Sequence, residues 1–426
     1  MTRLQDIAAQ LSGYDPSALP VAKAQEFIAR LVPRVEAIES LPLRSALGRV
    51  LARDIVSPIN VPASDNSAMD GYALRASELA AEGPSAFSVA GTSFAGVAFD
   101  GGVASGQCVR IMTGAVMPDG FDTVVPQEFV QVATDGTVTV PAGVVRAGDN
   151  RRLAGEDLRL GEPALQAGRV LRPADLGLMA SLGRAEVPVF RRLRVAFFST
   201  GDELRSVGET LGEGCVYDSN RYTLWGMLQR LGVELIDMGV VPDSPAALEA
   251  TFRAAAENAD AVITSGGVSV GEADHTKQVM AQLGDVLFWK IAMRPGRPMA
   301  IGRIESNGRQ AILFGLPGNP VAVMVTFYAF VREALLAMSG ATPSPLPMLK
   351  AASLEPIRKK AGRTEYQRGI VSQKADGTLQ VAITGSQGSG ILRSMSVANG
   401  LVVLHHEQGN VEAGGWVDVL PFDGLI

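Results

Sequence analysis

Apolar positions recur along this chain with two different periods, and the switch between them marks its parts. In 20–32, PVAKAQEFIARLV, Val21, Ala24, Phe27, Ile28 and Leu31 fall on one helical face, behind a proline suited to a first helical position. The first 60 residues read as helical, with a tail before Pro20. From 61 to 152 glycines are dense and short apolar runs alternate with turn residues, the pattern of strands. There FVQVAT and TVTV flank Asp135-Gly136, a hairpin signal of the type I′ kind.

Between 193 and 338 strand and helix patterns alternate. LRVAFFST, DAVITSGG, DVLFWKIAM and QAILFG are continuous apolar runs, suited to strands buried on both faces. SNRYTLWGMLQRLG has helical spacing, and Asp243-Ser244-Pro245 after VELIDMGVV is a cap followed by proline, opening a helix through about Glu257. Repeated β-then-α units predict a mostly parallel sheet, helices on both faces, and ligands at the carboxyl ends of its strands. After the proline-rich break at 341–347, GIVSQKADGTLQVAIT and GGWVDVL return to β texture, enough for a small barrel.

One stretch, 313–331, is free of charge and close to membrane-spanning length. It is interrupted by Gly315, Pro317, Gly318, Asn319 and Pro320, so a strand, a turn and then a buried helix over 320–338 account for it better.

Composition narrows the chemistry. At about 150 residues per domain, 426 residues make roughly three units. Lys and Arg total 38 against 44 Asp and Glu, a net charge of −6, which excludes a chain-wide basic field for nucleic acid or anionic membrane. Two cysteines and three histidines are too few for a zinc cage or a disulfide framework. Cys108 and Cys215 lack a neighbouring His or CxxC partner, and Trp225, Trp289, His405 and His406 read as packing or surface residues. The N-terminus has no apolar run followed by a small-residue cleavage site, so no secretory signal is expected and a reduced compartment fits.

Four polar clusters sit where strands should end. DNSAMDGYA (65–73) gathers Asp65, Asn66, Ser67 and Asp70, and on spacing alone a capped turn explains it better than chemistry does. STGDEL (199–204) follows a buried strand and YDSNRY (217–222) opens the next helix. Ser199, Thr200, Gly201, Asp218 and Ser219 could face a phosphate, and Asp202, Glu203 and Asp218 a magnesium ion, although an N-cap role fits Asp218 or Ser219 equally. TSGGVSVGEADHTK (264–277) matches neither a Walker nor a dinucleotide fingerprint. Its Ser265, Gly266 and Gly267 nevertheless suit a phosphate cradle, with Asp274 toward a metal. Lys290, Arg294 and Arg297 in WKIAMRPGRPMA, beside GLPGNP (315–320), form a candidate oxyanion site. Arg358, Lys359, Lys360, Arg363 and Arg368 read by default as a surface cluster.

Together with ALGRVLARDI (46–55), RIMTGA (110–115), RRLAGED (151–157) and LPGNPVA (316–322), these strings occur in one order from about residue 20 to the end. The set resembles the molybdopterin molybdenumtransferases, the bacterial MoeA family related to the gephyrin E domain. The resemblance implies a multidomain α/β plus β fold: an elongated, dimerising subunit with a three-layer α/β domain like the molybdopterin adenylyltransferases, a β-rich domain and a C-terminal β-barrel. The expected parts are a tail (1–18), a connecting domain (19–60 with 153–190), a β-rich domain (61–152), the α/β domain (191–342) and the barrel (343–426).

It further implies a cytoplasmic enzyme of molybdenum cofactor biosynthesis. Such an enzyme inserts molybdate into adenylylated molybdopterin with release of AMP, assisted by Mg2+, and its partners include molybdopterin adenylyltransferase and acceptor proteins. Carried over by position, Asp65, Thr113, Glu203 and Asp274 are implied in catalysis, with Asp65, Glu203 and Asp274 also toward the metal. Asp243 falls among the acidic positions around nucleotide and metal, and Lys290, Arg294, Arg297, Arg368 and Ser394 handle the anionic substrate and molybdate. Pro317 and Pro320 form the rigid turn beneath. Lysine is frequent in the family where this chain has Arg294 or Arg297, and the charge is retained. Two other readings remain open: a molybdopterin adenylyltransferase, and a non-catalytic scaffold of the gephyrin kind.

Overall fold

The structure, a computed structural model, describes residues 3–268, 275–344 and 346–422. The chain divides into two compact units, Ser40–Leu47 with Arg53–Pro188, and Met1–Glu39 with Gly48–Ala52 and Val189–Ile426.

The first of these is β-rich. Its main sheet has six strands in the order Thr123–Pro126, Gly71–Leu74, Gln107–Ile111, Ser85–Ser93, Val138–Val140, Gln131–Val132. Apolar side chains bury both faces, Tyr72, Leu74, Phe87 and Val125 on one and Ala73, Val109, Ile111 and Val124 on the other. Gly71 sits where two strands approach so closely that a Cβ would lie 2.0 Å from the Val125 carbonyl oxygen, so this glycine is required for pairing. The hairpin around Asp135-Gly136 forms, but only Gly136 has a positive φ, of 85°. Asp135 instead accepts from the Thr137 N–H at 2.9 Å. This is an Asx-stabilised turn ending on a left-handed glycine, not the expected type I′ turn, which needs positive φ at both central positions.

The other unit contains the α/β domain. Its strands and helices run β1 (Arg194–Thr200), α1 (Ser219–Arg230), β2 (Glu234–Val241), α2 (Pro245–Asn258), β3 (Ala261–Ser265), α3 (His275–Leu283), β4 (Gly284–Lys290), β5 (Pro298–Ser306) and β6 (Arg309–Leu316). The sheet order is β2-β1-β3-β6-β5-β4. The first four are parallel, and β5 alone is reversed, antiparallel to both its neighbours β6 and β4. Alternate residues of β1 explain its unbroken apolar run. Val195 and Phe197 pack into the core containing Phe27 and Phe314, and Ala196 and Phe198 into the opposite core with Leu248 and Phe252. The β5–β6 hairpin turns at Asn307 and Gly308, with φ of 50° and 72°. That pair supplies the positive angles a tight hairpin needs, a signal the sequence reading had not used.

The helix at 20–32 buries the predicted face, Val21, Ala24, Phe27, Ile28 and Leu31. The segment before it is not a free tail. Leu4, Ile7, Leu11 and Leu19 are buried, the Leu19 N–H donates to the Lys290 carbonyl at 3.1 Å, and Trp289 Nε1 donates to Tyr14 Oη at 2.8 Å. β4 is the last strand of the sheet, and this segment covers its open side. Residues 38–60, expected as helix, hold short strands, Ile38–Pro42 and Ile55–Val56, because Pro42, Pro58 and the left-handed Gly48 (φ 72°) interrupt any helical run.

Pro320–Met338 is one continuous helix with a π turn at Phe327–Val331. It is long and apolar enough to cross a membrane, yet 72% of its most apolar 18-residue stretch is buried within the fold. Beyond it, β7 (Leu349–Ser353), β8 (Thr364–Gln373), β9 (Leu379–Ile383), β10 (Gly400–Leu404) and β11 (Trp416–Pro421) close into a five-stranded barrel in the order β8-β9-β7-β11-β10-β8. Val381, Val402, Leu404, Val417 and Val419 fill it. The first residues of β8 also pair in parallel with Met293–Arg294, setting Met293 opposite Thr364 and Arg294 opposite Glu365, which faces Leu404 of β10 on its other side.

Candidate active site

The carboxyl ends of β1, β3 and β6 open into a cavity of about 990 Å³, where the sheet topology predicts a ligand. Thr200, Gly201, Ser265, Gly266, Gly267 and Pro317 form its floor. At Gly266 φ is +95°, and a Cβ would lie 2.6 Å from the Thr200 carbonyl oxygen. Its N–H donates to the Leu316 carbonyl at 3.1 Å, so the three strand ends are tied together at a residue with no side chain.

One end of the cavity is acidic. Glu203 folds back over Gly201, its carboxylate so close that a Cβ on the glycine would meet it at 2.5 Å. Asp202 accepts from the Asp243 N–H at 3.1 Å, which fixes the loop carrying Asp243. Among the described residues Asp243 Oδ1, Thr200 Oγ1 and Asn220 Oδ1 are buried without a hydrogen-bond partner, and all three residues line the cavity. Buried polar atoms are rarely left unmet, so this wall is shaped for a polar ligand.

The opposite end is basic. Arg294, Arg297 and Arg363 line it, with Gln387, Gly388 and Ser389. Arg363 donates to Glu365 at 2.8 Å. Behind them Arg368 is fully buried. Its Nε donates to Ser394 Oγ at 2.9 Å, and its terminal nitrogens donate to the carbonyls of Gly388 at 2.9 Å, Gln387 at 3.3 Å and Ser386 at 3.5 Å. No carboxylate among the described residues neutralises it. Burial, reinforced by the nearby Arg294 charge, draws its guanidinium down to about 10. It remains charged at neutral pH and adds positive potential to the basic end.

Other expected residues stand off the cavity wall. Asp218 is buried and caps α1, accepting from the Arg221 N–H at 3.1 Å and from Ser199 Oγ at 2.9 Å. Ser199 also meets Ser265 Oγ at 2.9 Å, a relay that braces the strand ends. Ser219 is the first residue of α1 and Pro320 the first of the long helix. Lys290 is exposed at the end of β4. Asp274 lies outside the described residues.

Asp65 and Thr113 belong to the β-rich unit. Asp65 accepts from the Ala154 N–H at 2.7 Å and from Arg151, whose Nε donates at 2.8 Å. The backbone hydrogen bond, with the Arg151 guanidinium beside it, holds the Asp65 carboxyl below the usual carboxylate range. The Thr113 N–H and hydroxyl both donate to Asp70 at 2.7 Å. The 65–73 segment thus runs through short strands, Asn66–Ser67 and Gly71–Leu74, and both of its carboxylates are engaged by neighbouring donors.

Asn220, Asn319 and Gln387 are cavity residues that no sequence signal marks as such, and Arg363, expected in a surface cluster, lines the cavity as well. Asn220 and Asn319 lie inside motifs already marked, whereas Arg363 and Gln387 reach the cavity only through the barrel, and no local spacing signals that.

Three family models cover the chain in order: the MoeA N-terminal region (domain I and II) over 19–183, a probable molybdopterin binding domain over 196–337, and the MoeA C-terminal region (domain IV) over 350–422. A molybdopterin molybdenumtransferase of Haemophilus influenzae is 44% identical over 409 residues, 96% of this chain and 100% of the relative. The chain belongs to the molybdopterin molybdenumtransferase family. A Nostoc molybdenumtransferase is 36% identical, over 94% of this chain and 93% of its own. The crystal structure of a molybdopterin biosynthesis MoeA protein from Pyrococcus horikoshii superposes with a TM-score of 0.81 at 28% identity, covering 95% of this chain and 99% of that one. The α/β domain and terminal barrel that the resemblance implied are therefore those of the molybdenumtransferase fold. As a family member the chain is a transferase of molybdenum cofactor biosynthesis.

Proposed function

We propose that this enzyme inserts molybdate into adenylylated molybdopterin, opening the phosphoanhydride and releasing AMP. The observation that carries the reading is the polarity of the cavity: unmet carboxylate and hydroxyl oxygens at one end, arginines at the other. A substrate with a diphosphate in its middle and an oxyanion arriving at one end matches that division. Arg294 and Arg297 draw in and orient molybdate, with Arg368 adding charge from behind the wall. Glycines 266 and 267 let the substrate backbone approach the strand ends, and Thr200 and Asn220 offer hydrogen bonds along it.

Magnesium fits the acidic end. Among the described residues no group of three or more His, Cys, Asp or Glu could cage a metal. Magnesium at nucleotide sites needs no cage, only one or two carboxylates with the phosphates. Asp243, with its buried unpartnered Oδ1, and Glu203 are the carboxylates that would hold it. The ion would offset charge on the phosphoanhydride. For Asp65 and Thr113 a part in turnover is carried by the family resemblance, as are the cytoplasmic location, the homodimer and delivery by molybdopterin adenylyltransferase.

The test is AMP release from adenylylated molybdopterin by the purified chain with magnesium, with and without molybdate. Molybdate-dependent AMP release accompanied by active cofactor is the expected result. Substrate binding without AMP release under either molybdate or tungstate would overturn the proposal in favour of a carrier or scaffold.

A further inference from the structure

The least explained residue of the cavity is Asn220. It stands in the first turn of α1, is about nine-tenths buried and lines the cavity. Its Nδ2 donates to the Gly318 carbonyl at 2.7 Å. A carbonyl can only accept, so that contact fixes which end of the amide is nitrogen. The other end, Oδ1, is buried and finds no donor among the described residues. Leaving such an oxygen unmet costs on the order of 1–3 kcal/mol. A hydroxyl could rotate to suit whatever arrives, whereas this amide is held on one side and presents a pure acceptor on the other.

We infer that Asn220 is a specificity-determining residue, its Oδ1 accepting a hydrogen bond from an N–H or O–H donor of the bound substrate. The inference rests on the proposed function, since adenylylated molybdopterin supplies two sources of such a donor: the pterin ring with its amide-like N–H groups, and the ribose hydroxyls of the nucleotide. Molybdate at neutral pH is an oxyanion without donors, so Asn220 contributes nothing to holding it. The residue therefore separates recognition of the organic substrate from recognition of the metal oxyanion. A site built to meet a donor rejects the analogue lacking it, because the acceptor is then left buried and bare.

The experiment compares wild type with Asn220→Ala, titrating each with AMP, 2′,3′-dideoxy-AMP, 6-hydroxymethylpterin and molybdate at constant magnesium. The expected result is a loss of about tenfold in affinity for AMP or for the pterin, the worth of one such hydrogen bond, with molybdate binding within about twofold. If the ribose is the donor, wild type discriminates AMP from its dideoxy analogue and Asn220→Ala does not. If the pterin is, its affinity falls and AMP is unaffected. Unchanged affinity for both organic ligands overturns the inference, as does a parallel loss for all including molybdate, the mark of a collapsed wall. A wild-type protein that binds neither organic ligand overturns it too. Should Asn220→Ala not fold, Asn220→Ser carries the same comparison. Molybdate-dependent AMP release by wild type is scored separately, so a wild type that turns over while Asn220→Ala binds normally sinks only this inference.

Discussion

Replacing Arg368 with methionine isolates what a buried cation does behind a binding wall. Holding the charge there, with its pKa drawn well below the ordinary guanidinium value to about 10, costs the fold about 3 kcal/mol at roughly 1.4 kcal/mol per tenfold. The sign follows from the direction. A cation whose folded pKa is depressed opposes folding at every pH below about 10, and the penalty is relieved only as pH rises from there toward the ordinary guanidinium value. Neutral buffer carries it in full. Methionine removes that penalty and roughly fills the volume, but it takes away the donor that the carbonyls of Ser386, Gln387 and Gly388 and the Ser394 hydroxyl accept from. At about 1 kcal/mol for each lost hydrogen bond, the two effects cancel to within about 1–2 kcal/mol. Anion binding has no such compensation. At an effective dielectric near 20, a guanidinium within roughly 8 Å of a bound oxyanion would contribute about 2 kcal/mol per unit charge. The expected phenotype is near-native urea unfolding with a KM for molybdate raised at least about tenfold. Destabilisation beyond about 4 kcal/mol with an unchanged molybdate KM would refute the reasoning and make Arg368 a purely structural strut.

Four further outcomes are expected. Asp243→Asn leaves thermal stability unchanged, since Oδ1 has no partner among the described residues, but raises the magnesium concentration for half-maximal AMP release about tenfold; an unaltered magnesium titration would remove Asp243 from the metal. Gly266→Ala forces a side chain into φ +95° and against the Thr200 carbonyl, lowering stability by about 2–4 kcal/mol and abolishing turnover, with calorimetry as the check. Asp65, held below its ordinary pKa, contributes stability that is present above about pH 4 and lost as pH falls through its folded value. Asp65→Asn should flatten that acid limb in pH-resolved melts and lower turnover; full turnover would exclude Asp65 from the reaction. Burial pushes the Cys108 thiol up to about 11, so iodoacetamide at pH 8 should label the part-exposed Cys215 first, and mass spectrometry showing Cys108 labelled early would contradict its burial.

Periodicity made the helix at 21–31 and the buried strands of the α/β domain legible, because each element satisfies its own packing face. Strand ends made the site legible for the same reason: Thr200, Ser265 and Gly266 follow apolar runs whose only free polar groups lie at their termini. Residues brought by distant chain were not. Arg363 reads as one charge in a surface run until the barrel carries it to the wall, and Leu4 and Ile7 read as tail because a short amphipathic turn carries little pattern. Asp218 shows a different limit. Its position suits a phosphate contact and an N-cap alike, and only the Arg221 N–H and the Ser199 hydroxyl on its carboxylate give the cap the decision.

The two-residue pairing of Met293–Arg294 with β8 has a bearing on how the enzyme can be re-engineered. The arginine turn and the barrel share one backbone ladder, and Thr364 N–H donates to the Ala292 carbonyl at 2.9 Å. A slip of one residue along that ladder would turn every β8 side chain to the other face, taking Arg368 away from Ser394 and Arg363 away from the cavity. The terminal barrel is therefore no detachable module. Chimaeras between relatives should tolerate a swap of the barrel only when residues 291–298 travel with it from the same parent, and a chain truncated before residue 349 would keep its acidic end while losing the alignment of the basic one.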